Sequence, residues 1–245
     1  MNLKQIVFNK LLPKLYKFYL SVNTKQTPLY IREDENALLL APHADDESIG
    51  AGGTLALYHN NFDVICLTNG IKGLKNLSPE EAQKVRGEEF LNAMQIAGVR
   101  SAKVLNIPDR DVIAGYDKLA EVDISNYDYI FMPNLIDTHK DHKSVAILVK
   151  KLLENKVHKD SIQLVFYEVW STLAIPNRVV NITDTVQVKA KMLEAHKSQM
   201  ELRNYLPASI GLSQYRGLIP NVPNAEAFLA LDEKTFKNLV KEIYI

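Results

Sequence analysis

Two short segments of the chain combine histidine with carboxylate side chains. They are residues 43–47 (His-Ala-Asp-Asp-Glu) and residues 137–142 (Asp-Thr-His-Lys-Asp-His). Imidazole and carboxylate groups are common ligands of divalent metal ions, and they also act as general acids and bases. Asp is favoured at helix starts, so the first segment alone could be a helix cap. Because three of the six histidines lie in these two segments, the residues indicate metal-assisted hydrolysis.

The segments around these residues alternate between the patterns of strands and helices. Apolar runs predict five strands, at 37–42, 63–68, 103–107, 129–133 and 162–169. Helices are predicted at 47–59, 78–97, 143–153, 183–203 and 232–243, with a loop rich in Gly and Pro at 206–223. Continuous apolar strands separated by helices are typical of a parallel sheet. The sequence therefore predicts an α/β, Rossmann-like fold with a mainly parallel sheet flanked by helices.

The predicted fold places both segments at one edge of the sheet. Residues 43–47 follow the first predicted strand, and residues 137–142 follow the fourth. In the doubly wound strand order 3-2-1-4-5 these two strands are neighbours, and ligands bind where the chain reverses direction between them. We therefore expect the two segments to meet in one crevice. Glycines at 50, 52 and 53 predict that the helix after the first segment packs closely on the sheet.

The composition limits the class of protein. The chain has 245 residues, 47% of them hydrophobic, with 29 Lys and Arg against 29 Asp and Glu. These values suit a globular protein with a substantial core and exclude a disordered or collagen-like chain. No run of about 18 apolar residues is present, which excludes a conventional membrane span. The single cysteine, Cys66, cannot form an internal disulfide or a cysteine-held metal centre, and it favours a reducing, cytoplasmic location.

The zero net charge hides a strongly basic N-terminal region. Residues 1–32 hold six basic residues and no acidic one, while the rest of the chain holds 23 basic and 29 acidic residues. A body with surplus acid does not support nucleic-acid binding as the main task. Residues 2–20 are predicted to form a helix that either contacts anionic lipid on the inner face of the membrane or packs on the body or on a second subunit. The chain thus divides into a basic helical arm with its connector, at 1–36, and one larger domain at 37–245.

Further residues extend the two motifs into a pattern known from a protein family. Residues 40–47 (Leu-Ala-Pro-His-Ala-Asp-Asp-Glu) and 139–142 (His-Lys-Asp-His) match its two histidine motifs. The other matches are Thr68-Asn69-Gly70, Arg86, Glu89, Pro108-Asp109 and residues 196–199. With these residues the chain resembles the PIG-L/LmbE-like deacetylases, which remove acetyl from N-acetylglucosamine units. The resemblance covers residues 37 to about 230, and the family commonly has Pro inside each motif, where this chain has Ala44 and Lys140.

The resemblance implies a metal centre and a base. His43, Asp46 and His142 would hold a divalent ion, expected to be zinc, and would leave one position open for water. Asp45, next to a ligand but not one itself, would be the general base.

The resemblance also implies residues that assist the reaction or bind the substrate. His139 would stabilise the oxyanion or protonate the leaving amine, and Asp141 would orient a histidine. Asn69, Arg86 and Asp109 would contact the sugar. A plainer interpretation of Asp109 is ordinary turn chemistry after a proline.

Several neighbouring residues allow two interpretations each. Arg86 and Glu89 could form an ion pair on a helix surface instead of a contact with the sugar. Trp170 and Tyr167 could stack on a sugar face or fill the core. Residues 196–199 could close the pocket or pack against it.

We therefore expect a zinc-dependent hydrolase that removes the N-acetyl group from a substrate containing N-acetylglucosamine. The residues alone leave two alternatives open, a metal-dependent phosphoesterase and a non-catalytic sugar-binding protein on the same fold. A phosphoesterase would usually need a second metal and more carboxylates. The aglycone, which is the group attached to the sugar, is not readable from the loops at 71–77, 110–118 and 206–223, although Arg110 could meet an anionic one. An oligomer is compatible with the sequence.

Overall fold

The computed structural model describes residues 25–244, so the helix predicted at 2–20 lies outside the described residues. The strands are β1 (Thr27–Pro28), β2 (Ala37–Ala41), β3 (Phe62–Thr68), β4 (Ser101–Ile107), β5 (Tyr129–Pro133), β6 (Gln163–Tyr167), β7 (Arg178–Asn181) and β8 (Ala225–Asp232). The helices are α1 (Asp46–Leu57), α2 (Pro79–Ala97), α3 (Tyr116–Ala120), α4 (Lys140–Asn155), α5 (Val186–Ala195), α6 (Lys197–Leu202), α7 (Leu206–Gly217) and α8 (Glu233–Tyr244).

The five predicted apolar runs form a continuous parallel sheet. Their order is β4-β3-β2-β5-β6, and every neighbouring pair is parallel. This order is the predicted one, so the prediction is confirmed. The chain crosses from β4 at one side to β5 at the other, and the carboxyl ends of β2 and β5 flank the crevice that results.

Alternating side chains of the central strands fill two core layers. On β2, Leu38 and Leu40 belong to one layer, while Leu39 and Ala41 belong to the other. Helices α4 and α8 cover the first layer, and helices α1, α2 and α5 cover the second. Because successive side chains of a strand point to opposite faces, a strand buried on both faces must be apolar throughout. This requirement explains the unbroken apolar runs of the sequence.

The C-terminal part of the chain differs from the prediction. The helix predicted at 183–203 breaks at His196 into α5 and α6, and the loop predicted at 206–223 contains helix α7. Both predictions were wrong for local reasons. His196 ends α5 with its backbone N–H bonded to Leu193 O, and its ring is fully buried. Pro207 lies in the first turn of α7, where its missing N–H costs no hydrogen bond, so it starts a helix rather than breaking one.

Three strands that the sequence analysis did not predict extend the sheet beyond β6. Strand β8 is antiparallel to both β6 and β7, and β1 pairs with the far side of β7. Glu226 interrupts the apolar pattern of β8 but is buried, with its Oε1 2.6 Å from Lys189 Nζ. Its Oε2 accepts the Thr54 N–H at 2.8 Å. This buried ion pair therefore fixes β8 to α5 and to α1, the helix that follows the first histidine motif.

Helix α1 packs against the sheet as closely as its glycines predict. A Cβ at Gly50 would lie 2.3 Å from Tyr167 Cδ2, and one at Gly53 would lie 2.7 Å from Ile182 Cβ. Both distances are too short for any side chain, so close packing requires Gly at these positions and the prediction is confirmed.

The described part of the connector packs on the body of the protein. Leu29 and Ile31 are buried in the same core layer as α1. The division of the chain between residues 36 and 37 stays a prediction. Within residues 25–244, no helix is both long enough and apolar enough to cross a membrane.

Candidate active site

The turn between β2 and α1 directs two adjacent carboxylates to different neighbours. Asp45 has φ 142° and ψ −25°, a backbone conformation that residues other than Gly rarely adopt. Asp46 starts α1 and contacts the histidines, whereas Asp45 faces Arg86 of α2. Such strain persists where the surrounding structure holds it, and it concentrates at functional sites.

Three histidines from the two motifs meet at the carboxyl ends of β2 and β5. One ring nitrogen of each of His43, His139 and His142 lies within 4.8 Å of the others. Asp46 Oδ2 lies 3.2 Å from His43 Nδ1 and 3.2 Å from His142 Nε2. His43 also contacts Asp141, which is 98 residues away in sequence, because β2 and β5 are neighbours. The structure thus brings the two segments together as predicted.

Opposite charges set the protonation of this cluster. Burial alone would lower the pKa of His43, but its contacts with Asp141 and Asp46 outweigh burial and raise the pKa to about 10. Burial of His142 is likewise outweighed by Asp46 and Asp137, and the pKa of His142 rises to about 9. Burial would raise the pKa of Asp46, yet His142 and His43 hold it well below its usual range. The carboxylates therefore favour positive charge at this point, as a cation site must.

Several buried polar atoms of the cluster lack a hydrogen bond. Within the described residues, Asp46 Oδ1, Asp141 Oδ1 and both ring nitrogens of His142 have no hydrogen-bond partner. His142 Nε2 touches Asp46 Oδ2 at 3.2 Å but without hydrogen-bond geometry. Each unpaired buried group costs about 1–3 kcal/mol. A divalent ion accepts lone pairs from imidazole nitrogen and carboxylate oxygen, so the residues present fit such an ion.

Two further carboxylates hold the histidines from behind. Asp141 Oδ2 lies 3.1 Å from His43 Nε2 and accepts the Arg110 N–H at 2.8 Å. Asp137 Oδ2 lies 3.2 Å from His142 Nδ1. The sequence analysis gave Asp137 no role of its own. Its place just before the second motif was a usable signal, because a ligating His ring is usually oriented by a carboxylate.

Asp45 lies apart from the histidines, between α2 and the start of α7. It is 5% exposed, its Oδ1 is 3.7 Å from Arg86 Nη2, and its Oδ2 accepts the Tyr205 hydroxyl at 3.3 Å. Burial raises the pKa of Asp45, while the charge of Arg86 opposes the rise. A buried carboxyl group with a raised pKa is suited to take up a proton. Sequence reasoning missed Tyr205 because it belongs to neither motif and precedes a helix that was not predicted.

The structure contradicts the interpretation of Arg86 and Glu89 as a surface ion pair. Arg86 is 3% exposed, and its guanidinium faces Asp45. Glu89 accepts instead the N–H of Ser198 at 2.7 Å and the hydroxyl of Ser198 at 2.6 Å. Successive turns of α2 thus contact different partners: Arg86 faces Asp45, and Glu89 binds the first turn of α6.

His196 and Tyr167 pack behind the site. His196 Nε2 lies 3.0 Å from Glu47 Oε1, and the Ser48 hydroxyl donates to the same oxygen at 2.8 Å. Glu47 Oε2 also accepts the N–H of Asp45 at 3.1 Å, so this buried group holds the strained turn. Tyr167 is fully buried and donates its hydroxyl to a backbone carbonyl of β2 at 2.8 Å. The packing interpretation therefore applies to both residues.

A pocket of about 250 Å³ lies over the motif residues. Its lining residues are His43, Asp45, Asp46, Gly70, Lys72, Gly73, Arg86, Asp109, Arg110, His139, Trp170 and Gln199. Of the predicted sugar contacts, Arg86 and Asp109 line the pocket and Asn69 does not. Arg86 Nε and Nη1 are buried without a hydrogen-bond partner in the described part of the chain. Asp109 accepts the N–H groups of Gly70 at 3.1 Å and Lys72 at 2.7 Å, so it shapes the loop after β3.

The fold and the histidine–carboxylate site together define a family. Residues 38–153 match the PIG-L family, described as GlcNAc-PI de-N-acetylase. This segment of the chain matches the PIG-L/LmbE-like family, and the resemblance drawn from the two motifs is confirmed.

Named relatives span most of the chain. A probable N-acetyl-alpha-D-glucosaminyl L-malate deacetylase 2 of Bacillus subtilis (strain 168) is 26% identical over 187 residues, covering 68% of this chain and 84% of the relative. Diacetylchitobiose deacetylase of Thermococcus kodakarensis is 28% identical over 193 residues, covering 67% of this chain and 70% of the relative. The solved structure of N,N'-diacetylchitobiose deacetylase from Pyrococcus horikoshii has a TM-score of 0.71 at 21% identity, covering 96% of each chain. At that identity the likeness shows the shared α/β fold.

Proposed function

We propose that the chain is a zinc-dependent hydrolase that removes the N-acetyl group from a substrate containing N-acetylglucosamine. The observation that carries this proposal is the contact of Asp46 with both His43 and His142. His43, Asp46 and Asp45 line one pocket, and His142 lies buried behind it. The match of residues 38–153 to the PIG-L family supports the reaction class. The names of the two relatives, both deacetylases of N-acetylated amino sugars, support the substrate class.

The metal ligands we assign are His43, Asp46 and His142. Asp46 Oδ2 touches both rings at 3.2 Å and, with its pKa held low, supplies the charged ligand. Two imidazoles and one carboxylate leave one position free on a four-coordinate ion. When bound, the ion supplies polarisation of the acetamide carbonyl and a lowered pKa of water.

Asp45 acts on the proton of the attacking water. Its raised pKa brings it closer to neutral pH, and contacts with Arg86 and Tyr205 fix its side chain. As the proton moves to Asp45, a C–O bond forms at the acetamide carbon. The C–N bond then breaks, Asp45 returns the proton to the leaving nitrogen, and the products are acetate and the free amine of the sugar.

His139 stabilises the negative charge that develops on the carbonyl oxygen. Burial lowers the pKa of His139, and the nearby charges of His43 and His142 lower it further, so the ring is neutral at pH 7. Its Nδ1 accepts the backbone N–H of Asp141 at 3.3 Å. The proton of the neutral ring therefore resides on Nε2, which can donate to the oxyanion. Asp141 in turn orients His43 by its contact at 3.1 Å.

The sugar hydroxyls have three assigned contacts. The two buried guanidinium nitrogens of Arg86 without a hydrogen bond to residues 25–244 suit hydroxyl oxygens. Asp109 holds the loop after β3 through the Lys72 N–H, and its own side chain lies in the pocket wall, where it can contact the sugar. We assign Asn69 as a sugar contact from the family resemblance alone, because its Oδ1 faces its own loop and accepts the Ile71 N–H at 3.5 Å.

We also propose a cytoplasmic location, with peripheral contact of residues 2–20 to the inner face of the membrane. Cys66 is a free, buried thiol, which suits a reducing compartment. The basic charge of residues 1–32 supports the membrane contact.

The test measures acetate release and metal content on the same sample. N-acetylglucosaminides should release acetate, and a chelator should abolish the release reversibly. His142→Ala should lose both zinc and turnover. The matched control, His158→Ala, changes a histidine that contacts Glu233 outside the pocket, and it should keep both.

Two results would contradict the proposal. Full zinc content in His142→Ala would contradict the ligand assignment. Zinc binding with no acetate released from any N-acetylated sugar would contradict the deacetylase and favour a sugar-binding protein.

A further inference from the structure

A second, larger groove adjoins the candidate active site. It has a volume of about 770 Å³ and lies between the loop after β3 and helix α6. Its apolar lining residues are Leu74, Leu77, Val85 and Leu202. Gly73 lines both the groove and the catalytic pocket, so the two spaces adjoin at this residue.

The walls of this groove are held in place and expose apolar surface. Glu89 of α2 accepts both the N–H and the hydroxyl of Ser198, which fixes the start of α6 against α2. Leu77 is 41% exposed and Leu202 is 67% exposed. Two such side chains on one groove are unfavourable in water, and an apolar ligand would cover them at little conformational cost.

The charge of the groove separates the possible kinds of ligand. Its described lining contains one lysine, Lys75, and one glutamate, Glu201. A malate-like or phosphorylated aglycone would need an excess of positive charge, and a second sugar would need several hydrogen-bonding groups. The groove has no excess of positive charge, and although Asn76 and Ser198 also line it, most of its exposed surface is apolar.

In the substrate, the aglycone is attached next to the N-acetyl group that reacts, so it must leave the pocket close to the reacting group. The N-acetyl group is on C2 of the sugar and the aglycone is on the adjacent C1. Gly73 and the side chain of Gln199 lie next to each other where the two spaces adjoin, because a Cβ on Gly73 would lie 3.3 Å from Gln199 Nε2. We propose that the groove binds an apolar aglycone, an alkyl or aryl chain, of the amino-sugar substrate. This inference rests on the proposed deacetylase function and adds the substrate class to it.

The test compares aglycones on one sugar. Four substrates are compared: the methyl, octyl and malyl glycosides of N-acetylglucosamine, and diacetylchitobiose itself. All are used below micelle-forming concentrations. Each fully buried methylene is worth about a fourfold gain, so partial burial of the octyl chain should raise kcat/KM about tenfold or more over methyl. Equal kcat/KM for methyl and octyl, or the highest value for malyl or chitobiose, would overturn the proposal.

Substitutions in the groove test whether its leucines cause the higher kcat/KM of the octyl glycoside. Leu77→Ser and Leu202→Ser should each lower the octyl-to-methyl ratio of kcat/KM. The matched control is Leu91→Ser, since Leu91 is 48% exposed on α2 but does not line the groove. Both groove leucines are exposed, so the variants should fold, and thermal unfolding checks this. A ratio that stays the same in both groove variants would overturn the proposal.

A binding measurement separates this inference from the proposed function. Trp170 is the single tryptophan of the chain and lies 42% exposed in the pocket wall, so its fluorescence reports binding without turnover. Tighter binding of octyl than methyl, lost in Leu77→Ser, would support the groove even if no acetate were released. Acetate release with equal efficiency from both glycosides would keep the deacetylase and reject the groove. Equal binding without turnover would reject both.

Discussion

Asp45 and Asp46 are adjacent in sequence but have opposite electrostatic surroundings. Asp46 lies between His43 and His142, which hold its pKa well below the usual range. Asp45 is buried beside Arg86, and burial raises its pKa. The strained backbone at Asp45 separates the two side chains, so one can be a metal ligand while the other accepts a proton.

Substitution of each aspartate by asparagine should separate these roles. If Asp46 is the metal ligand that we propose, Asp46→Asn removes its charge, so zinc content and activity should fall together, and excess zinc should restore part of both. If Asp45 is the proposed base, Asp45→Asn removes the proton acceptor alone, so it should keep zinc and lose about 10²-fold or more in kcat. Metal analysis and kcat on the same preparations check both outcomes. Equal zinc loss in the two variants would make Asp45 a ligand or a helix cap, and full activity of Asp45→Asn would remove it as the base.

The sequence was sufficient to predict that the two motifs meet, but not which residues support them. The motifs that contain His43, Asp46 and His142 each follow a recognisable strand, while the role of these residues as metal ligands stays a prediction. Tyr205 contacts Asp45 from 160 residues away, and no local pattern relates the two positions. Contacts of this kind depend on how a later helix packs, which residue types and spacing do not specify.

Strands and helices, too, were predictable where a local pattern marks them and not where they depend on contacts with distant residues. Strands β2, β3, β5 and β6 are buried on both faces and form apolar runs, and all four were predicted, as was the more exposed β4. Strand β8 is instead interrupted by Glu226, which pairs with Lys189 inside the protein. Helix α7 has the Gly and Pro residues of a loop, and its Arg216 pairs with the buried Glu168. Charged residues inside an element imitate the composition of a loop, because a sequence does not show that each charge has a buried partner.

Asp63, the second residue of strand β3, has a carboxylate that joins three segments of the chain. Asp63 accepts hydrogen bonds from Arg100 Nε at 3.0 Å, the Ser101 hydroxyl at 2.6 Å and the Tyr127 hydroxyl at 2.7 Å. Burial would raise the pKa of Asp63, but these donors outweigh burial and lower it from its ordinary value of 3.8.

Asp63→Asn should lower the free energy of unfolding at pH 7 by about 1–2 kcal/mol. Because the pKa of Asp63 is lower in the folded state, its contribution is complete above the unfolded value of 3.8 and is lost as pH falls through the folded value. Urea unfolding of wild type and variant should therefore differ less near pH 3 than at pH 7. A difference that persists or grows in acid would contradict this account. Asp34→Asn, at a side chain that is 79% exposed, is the matched control and should change little.

At the scale of the whole molecule, charge is divided unevenly along the chain. Residues 1–24 carry four lysines and no acidic residue. The described body begins with β1, which pairs with β7, and with the buried Leu29. A shortened protein should therefore start at Lys25, so that β1 is retained.

The full-length protein should sediment with anionic vesicles at low salt and be released as salt rises. The protein that starts at Lys25 should stay in the supernatant, while its thermal midpoint and its acetate release from the methyl glycoside remain those of the full chain. Neutral phosphatidylcholine vesicles are the control for binding that does not depend on charge. Equal sedimentation of both proteins would contradict the membrane contact, and aggregation of the shorter one would make the arm part of the body or of an interface.

The order of the sheet has a consequence for how the protein is made. Strand β7 does not pair with β6, because β8 lies between them, and β1 joins the sheet through β7. Strand β8, at residues 225–232, is the last of the described strands to leave the ribosome tunnel. Until then β6 is an open edge, and the earliest described strand has no route into the central sheet. Pairings this distant in sequence are slow and leave edges open to other chains, so the nascent protein is most prone to aggregate late in translation.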